Sequence, residues 1–444
     1  MRTAIAAVVV GAIASAFANT YRLALLWFVE WVFGSKDATV AARDRPQWVV
    51  VVSVTGGLVL ATVLGRLARR RTENLGLPAI AAAARGIDTV PSFPGSLTRA
   101  TGTWIAMGTM GSLGREAAIS EVGGSFGATF ARRLRLPVPE MTVAGVAAAF
   151  AAAYHAPLAG VVYVLELVLR KHGERALPNR RMLAPVVLGS AVGHLVSVVV
   201  FHRPQVFPTP ESPLSITSAG HALVVAIPSL AAALLFLRIR KQLHAIGRSE
   251  GSRVETRRYR KLLLAPWPKT VILALVSGLV VSFVPLSAGN GMEAIRSSAT
   301  GATVGVGFAL LLGKLAATAT ALESGAPGGL FSPAMAVGAG GAILTFHAFN
   351  GLGLTFDGRW DAMIAAMAVA VAVATDAPFT AIVVVAELTG DYRAMPIISL
   401  AVGVALVIRH VPRRLHARAL DRHAPVGGVA QPHGLEVDEV ELDS

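Results

Sequence analysis

Apolar residues run in long blocks, near 2–33, 46–67, 100–130, 141–169, 182–201, 219–239, 268–286, 300–322, 328–349, 360–388 and 395–411, and polar residues gather between them. A helix needs about 20 apolar residues to cross a bilayer. Several blocks exceed that length or carry Gly or Pro near their middle, so the pattern predicts more helices than blocks, some broken part-way. No stretch reads as a soluble domain. The pattern therefore predicts an all-α polytopic membrane protein. The opening "MRTAIAAVVVGAIASAFA" has the single arginine, apolar run and small residues of a secretory leader, but the apolar pattern continues through "YRLALLWFVEWVF". We read a retained first helix; the alternative is a leader cleaved after about 18 residues.

The blocks repeat. Residues 153–167, "AYHAPLAGVVYVLEL", and 374–388, "ATDAPFTAIVVVAEL", agree at seven of fifteen positions, including Ala156/Ala377, Pro157/Pro378 and Glu166/Glu387. A Gly-rich break precedes each: "GSLGREAAISEVGG" in the first half and "ESGAPGGLFSPAMAVGAGG" in the second. Matching broken segments in two halves point to a substrate site between repeats. We place one repeat at 1–205, the second at 206–420, and a short tail at 421–444, expected to be disordered because it ends in the acidic run "LEVDEVELDS".

Composition sharpens this picture. Only 15% of residues are charged, against 54% hydrophobic, and 44 glycines and 24 prolines are spread through the apolar blocks. Such residues are commoner in membrane helices than in soluble ones. The formal net charge of +14 suggests nucleic acid until its placement is considered. Arg66, Arg69, Arg70 and Arg71 form one cluster between apolar blocks, and Arg132, Arg133 and Arg135 another. The loop 238–261 holds nine Arg or Lys, and Arg413, Arg414, Arg418 and Arg422 follow the last block. Short basic loops stay in the cytoplasm. We thus expect an inner or plasma membrane protein with its basic loops and C-terminus cytoplasmic, and no nucleic-acid partner. There is no cysteine, so thiol chemistry and thiol metal sites do not arise.

The breaks carry the chemistry. A helix that starts at membrane depth leaves its first N–H groups unpaired, and these groups with the helix dipole favour an anion. "GSLGREAAI" fits such a start, with Gly111 and Gly114 permitting the turn and Ala117 and Ala118 beginning the helix. "GAPGGLFSPAM" fits a second: Gly328 and Gly329 break the chain, and Pro333 suits a first turn. Glu116 at the first start can fill the anion site, take up a proton and swing away. The bland alternative is that Arg115 and Glu116 form a structural ion pair. Glu166 and Glu387 read as structural, Lys314 and Glu323 as snorkelling or paired, and His155 and Asp376 as caps of the helices that follow them. "GGSFG" at 123–127 satisfies G-x-S-x-G, so an intramembrane serine hydrolase using Ser125 with His155 or His194 is a rival, although no strand precedes the motif. A membrane protein with no transport function is a further rival. No cofactor or metal is expected.

"GREAA" at 114–118, "GGLFSP" at 328–333 and "ELTGDY" at 387–392, together with "SGAPGG", resemble the CLC family of chloride channels and proton/chloride antiporters over roughly residues 1–420. The resemblance implies a homodimer with a pore in each subunit, built from two inverted repeats of broken and tilted helices. It implies Glu116 as the gating glutamate. Backbone groups of Gly114, Arg115, Glu116 and Ala117, and of Gly329, Leu330, Phe331 and Ser332, would then face the anion. Leu75 in "NLGLP" stands where the family's pore serine is expected, and His416 aligns with its pore tyrosine. Alanines replace the motif glycine and proline after Glu116. The family's inner proton glutamate aligns with Leu167, beside Glu166. The implied function is chloride transport gated by Glu116 and coupled to protons; a passive channel and a fluoride exporter are the alternatives.

Overall fold

The computed structural model describes residues 1–87, 90–169, 180–207, 216–245, 267–298, 302–354 and 359–422, with side chains to residue 410. The described residues contain helices and no β-strand; one isolated bridge pairs Gly114 with Gly329. Two compact units, Met1–Ala405 and Leu406–Ser444, divide the chain. Six described segments are long and apolar enough to cross a membrane: Arg2–Asp44, Gln47–Arg71, Arg180–Val199, Ile216–Ala245, Val304–Glu323 and Tyr392–His410. Shorter apolar helices lie between them, as expected for a bundle with broken spans.

In chain order the helices of the first half are α1 (Arg2–Phe33), α2 (Ala38–Asp44), α3 (Gln47–Arg71), α4 (Gly76–Ala84), α5 (Phe93–Gly108), α6 (Glu116–Leu134), α7 (Val138–Tyr154), α8 (Pro157–Tyr163) and α9 (Arg180–Val199). Those of the second half are α10 (Ile216–Ala245), α11 (Trp267–Phe283), α12 (Met292–Ser298), α13 (Val304–Phe308), α14 (Lys314–Glu323), α15 (Phe331–Gly351), α16 (Arg359–Thr375), α17 (Pro378–Thr389) and α18 (Met395–Arg422). The opening block is one uninterrupted helix, α1, packed on α7 and α9 with Ala7, Val10 and Ala14 buried. Most of the basic loop 238–261, from residue 246 on, and the tail from 423 lie outside the described residues.

α7 and α16 are the centres of the bundle. Every residue from Met141 to Tyr154 and from Asp361 to Val373 is buried. A helix that is apolar all round is a core helix, and Ala, Val and Gly supply little side chain to hold neighbours away. The packing is matched between the halves. α7 meets α6 where a Cβ on Gly123 would lie 2.5 Å from the Gly145 carbonyl oxygen, and α16 meets α15 where Gly338 abuts the carbonyl of Ala366. Larger residues there would push the helices apart.

The two Ala-Pro corners also match. α7 ends on His155 at φ 59°, and α16 is followed by Asp376 at φ 54°. Both adopt the left-handed conformation that closes a helix. They therefore terminate the helices before them. The following helices start at Ala156 and Ala377, which offer no side-chain cap. Instead, Glu166 Oε1 and Oε2 accept the N–H groups of Phe379 (3.1 Å) and Thr380 (2.6 Å) at the start of α17. Glu387 Oε1 and Oε2 accept those of Leu158 (2.9 Å) and Ala159 (2.7 Å) at the start of α8. Glu166 lies in the π-helical turn Val164–Val168 that continues α8, and Glu387 lies near the end of α17; each caps the start of the other helix, so α8 and α17 lie antiparallel. The structural reading of both acids is realised as a reciprocal cap.

Lys314 does not snorkel. It is fully buried, and its ammonium donates to the carbonyls of Ser287 (3.0 Å), Ala288 (3.3 Å) and Gly289 (2.6 Å). Glu323 is paired, with Arg240 and with His244, each at 3.1 Å.

Candidate functional site

Two chain breaks meet at the bridge. Gly114 N–H donates to the Gly329 carbonyl (3.0 Å) and Gly329 N–H to the Gly114 carbonyl (2.8 Å). Two residues beyond each glycine a helix begins, α6 at Glu116 and α15 at Phe331. The bridge thus locks two helix N-termini side by side, and brings the segment Gly114, Arg115, Glu116 and Ala117 beside Gly329, Leu330, Phe331 and Ser332. Their first-turn N–H groups form a locally positive cradle.

The turns themselves use other residues than expected. Before α6 the left-handed residue is Met110, at φ 67°, and before α15 it is Gly325, at φ 99°. Gly111 serves close approach instead: a Cβ there would lie 2.5 Å from the Ala106 carbonyl oxygen. Gly114 and Gly329 are also close-approach residues. A Cβ on Gly329 would lie 2.6 Å from Glu116 Oε1, and one on Gly114 would collide with the same carboxylate. The Glu116 side chain is therefore folded back over the bridge. Hydrogen bonds hold the supporting loops, from Ser112 Oγ to Thr318 Oγ1 (2.8 Å) and from Thr103 Oγ1 to the Pro327 carbonyl (2.9 Å).

Glu116 is 2% exposed. Its Oε1 accepts from Ser332 N–H and its Oε2 from Ser332 Oγ, each at 3.4 Å. Both contacts lie at the long end of hydrogen bonding, and the carboxylate also meets its own backbone N–H and the Tyr154 hydroxyl. No salt bridge joins it to Arg115 among the described residues. The ion-pair alternative therefore finds no support; Arg115 is the residue before α6 and is half-buried, and Ala117 is exposed. Leu330 turns away to pack with Phe236, Leu315 and Val337.

Aromatic rings wall the site. Phe150 stacks on Tyr163 (4.1 Å between centroids) and meets Tyr154 (5.0 Å) and Phe331 (5.6 Å). The Tyr154 hydroxyl is 2.9 Å from Ser332 Oγ and lies beside Glu116. The sequence reading missed Tyr154. The one signal for it is the repeat, in which Thr375 occupies the matching position.

Leu75 stands at a different helix start. It precedes α4, is 8% exposed and packs against Gly95. The N–H of Gly76 donates to Glu121 Oε1 (2.9 Å), while Glu121 Oε2 pairs with Arg99 (3.3 Å). Glu121, on α6, is a second buried acid that the sequence reading passed over. His416 falls in α18 where side chains are not described. Ser125 sits within α6, and its Oγ donates to the Val122 carbonyl (3.1 Å). His155 and His194 face each other, 5.8 Å between ring centroids. The nucleophile and base of a hydrolase are not assembled among the described residues.

Comparison with known proteins agrees with this architecture. The family described as "Voltage gated chloride channel" matches residues 56–410. Over 435 residues the chain is 27% identical to the voltage-gated ClC-type chloride channel ClcB of Escherichia coli O9:H4 (strain HS), covering 95% of this chain and 98% of that one. Among solved structures it resembles a slow cyanobacterial Cl⁻/H⁺ antiporter (TM-score 0.72, 20% identity, 96% of this chain and 99% of the other). It also resembles a CLC-type fluoride/proton antiporter (TM-score 0.70, 19% identity, 92% and 95%).

Proposed function

Because this chain belongs to the voltage-gated chloride channel family, we propose that it carries small inorganic anions, chloride first, across a membrane in exchange for protons, with Glu116 as both gate and proton carrier. The observation that carries this reading is the Glu116 carboxylate lying across two adjoining helix starts, with both of its contacts to Ser332, on the far one, at 3.4 Å. A carboxylate there occupies the seat that the N–H groups offer to a free anion. Protonation removes its charge and its claim on those groups, and the anion takes its place. Binding is favourable because oriented N–H dipoles replace part of the hydration shell. It remains weak enough for release because, among the described residues, no cationic side chain forms a salt bridge with the Glu116 carboxylate.

A passive chloride channel is the second reading. It draws on Leu167, which stands where the family's inner proton glutamate aligns. Its neighbour Glu166 is committed to capping α17 and is not free to relay protons. Fluoride is the alternative anion. We further place the basic loop 238–261 and the C-terminus in the cytoplasm, treat the two halves, 1–205 and 206–420, as repeats, and take two copies of the chain to pair, each with its own path.

Reconstitution into liposomes with chloride and pH electrodes tests the reading. Under a proton gradient alone, the wild type should drive chloride uphill, and Glu116→Ala should keep chloride flux and lose all proton movement. Unchanged proton movement in Glu116→Ala overturns the assignment of Glu116. Chloride flux without proton movement in the wild type selects the channel.

A further inference from the structure

The proton count at Ser332 gives Tyr154 a direction. Ser332 Oγ carries one hydrogen, and that hydrogen goes to Glu116 Oε2. With the Ser332 hydrogen on Glu116, the 2.9 Å contact between the Ser332 and Tyr154 oxygens is donated by Tyr154. The result is a chain of two hydroxyls, Tyr154 to Ser332 to carboxylate, pointing into the seat. Donation from Tyr154 leaves the Ser332 hydrogen more positive, because successive hydrogen bonds polarise one another.

The ring that bears this hydroxyl is fixed. Tyr154 is the last residue of α7, immediately before the left-handed His155, and is 3% exposed. It packs on Phe150, itself clamped between Tyr163 and Phe331. The hydroxyl is thus pre-positioned and pays little entropy when the occupant of the seat changes. Nothing in the packing of an alanine-rich helix calls for a phenol here; phenylalanine would fill the same space.

Resting on the reading of the Glu116 site as the anion's path, we propose that Tyr154, acting through Ser332, sets the anion selectivity of that site. When Glu116 vacates the seat, the same hydroxyl pair ends on the transported anion. Small, strongly hydrated anions depend most on such donors, because they surrender the most hydration on entry. Large, weakly hydrated anions such as thiocyanate depend least. Tyr154 is a positioning residue in this proposal: it holds Ser332, which touches the occupant, and its own hydroxyl lies beside Glu116.

The test is the chloride-to-thiocyanate flux ratio in proteoliposomes. Tyr154→Phe should lower it about tenfold, the order expected for losing support of a hydrogen bond to a charge, with thiocyanate flux kept as proof of a folded protein. Ser332→Ala should lower the ratio as well, and adding Tyr154→Phe to it should change nothing more. Fluorotyrosine at 154 keeps the ring and strengthens the donor, so it should raise the ratio, and it serves if the phenylalanine variant does not reconstitute. An unchanged ratio in Tyr154→Phe, or an undiminished effect in the Ser332→Ala background, overturns the proposal. If the wild type moves no anion at all, it is the reading of the site that fails instead.

Discussion

Two pairs of buried helix starts, each pair drawing one start from either half of the chain, are closed in opposite ways. At α8 and α17 each start receives its own glutamate from the other helix, and each glutamate accepts two N–H bonds of 2.6–3.1 Å. At α6 and α15 two starts share one glutamate, whose contacts to the far helix are both 3.4 Å. Both arrangements answer the same need, since a helix N-terminus inside a protein leaves donors that must find acceptors. The first answer is permanent. The second leaves the acceptor replaceable. A buried carboxylate at a helix start is therefore not by itself a gate; the proposed gating role of Glu116 requires that its contacts be easier to give up than those of the caps.

The largest effect in that contrast is expected from removing a permanent cap. Glu387→Ala strands the Leu158 and Ala159 donors, and Glu166→Ala those of Phe379 and Thr380. Each should cost about 3–5 kcal/mol, the range for deleting one partner of a buried charged network, read as a lowered midpoint of thermal unfolding in detergent. A loss below ~1 kcal/mol would show the reciprocal cap to be as dispensable as the contact at Glu116.

A second variant moves the replaceable acceptor without deleting it. Gly329→Ala sets a Cβ within 2.6 Å of Glu116 Oε1 and 2.9 Å of its carboxyl carbon. The obstacle is the far end of a flexible side chain, so the carboxylate swings out and the bridge survives. Stability should fall by no more than about 1 kcal/mol, while chloride flux rises several-fold and fewer protons move per chloride. A closed, fully coupled Gly329→Ala protein would mean that the carboxylate does not rest over the bridge.

How much of this was readable beforehand divides along the same line. The blocks, the broken segments, the Ala-Pro repeat and Glu116 all show in the sequence, because hydrophobic runs and rare residues inside them are local signals. The structural role of Glu166 and Glu387 was also legible from their matched positions. Their partners were not, since Glu166 reaches a backbone group 213 residues away and backbone donors leave no mark on sequence. Met110 took the left-handed turn because Gly111 was needed for contact with Ala106, a competition between two uses of flexibility that residue types do not reveal. Tyr154 hid among the aromatics of the core, and Glu121 looked like any polar residue of a helix until Gly76 and Arg99 closed on it. Side chains that meet across elements set the site; residue pattern sets the elements.

The smallest effect is the sharpest discriminator. Glu116→Gln keeps the shape and one carbonyl acceptor of the side chain and removes only its charge. At α6 and α15 the acceptor takes two long hydrogen bonds from Ser332 on the far helix, and the amide can reproduce one of them. The change in unfolding free energy should stay within about 0.5 kcal/mol. The same substitution at Glu166 must replace a carboxylate that accepts three bonds at 2.6–3.1 Å, from Phe379 N–H, Thr380 N–H and Thr380 Oγ1. There the amide turns an NH₂ group toward a donor, a repulsive contact that the carboxylate never makes. Measured side by side, Glu166→Gln should unfold well below the wild type and Glu116→Gln together with it. Equal losses at the two positions would mean that Glu116 is as firmly engaged as the caps, and a residue so engaged cannot yield its seat to an anion.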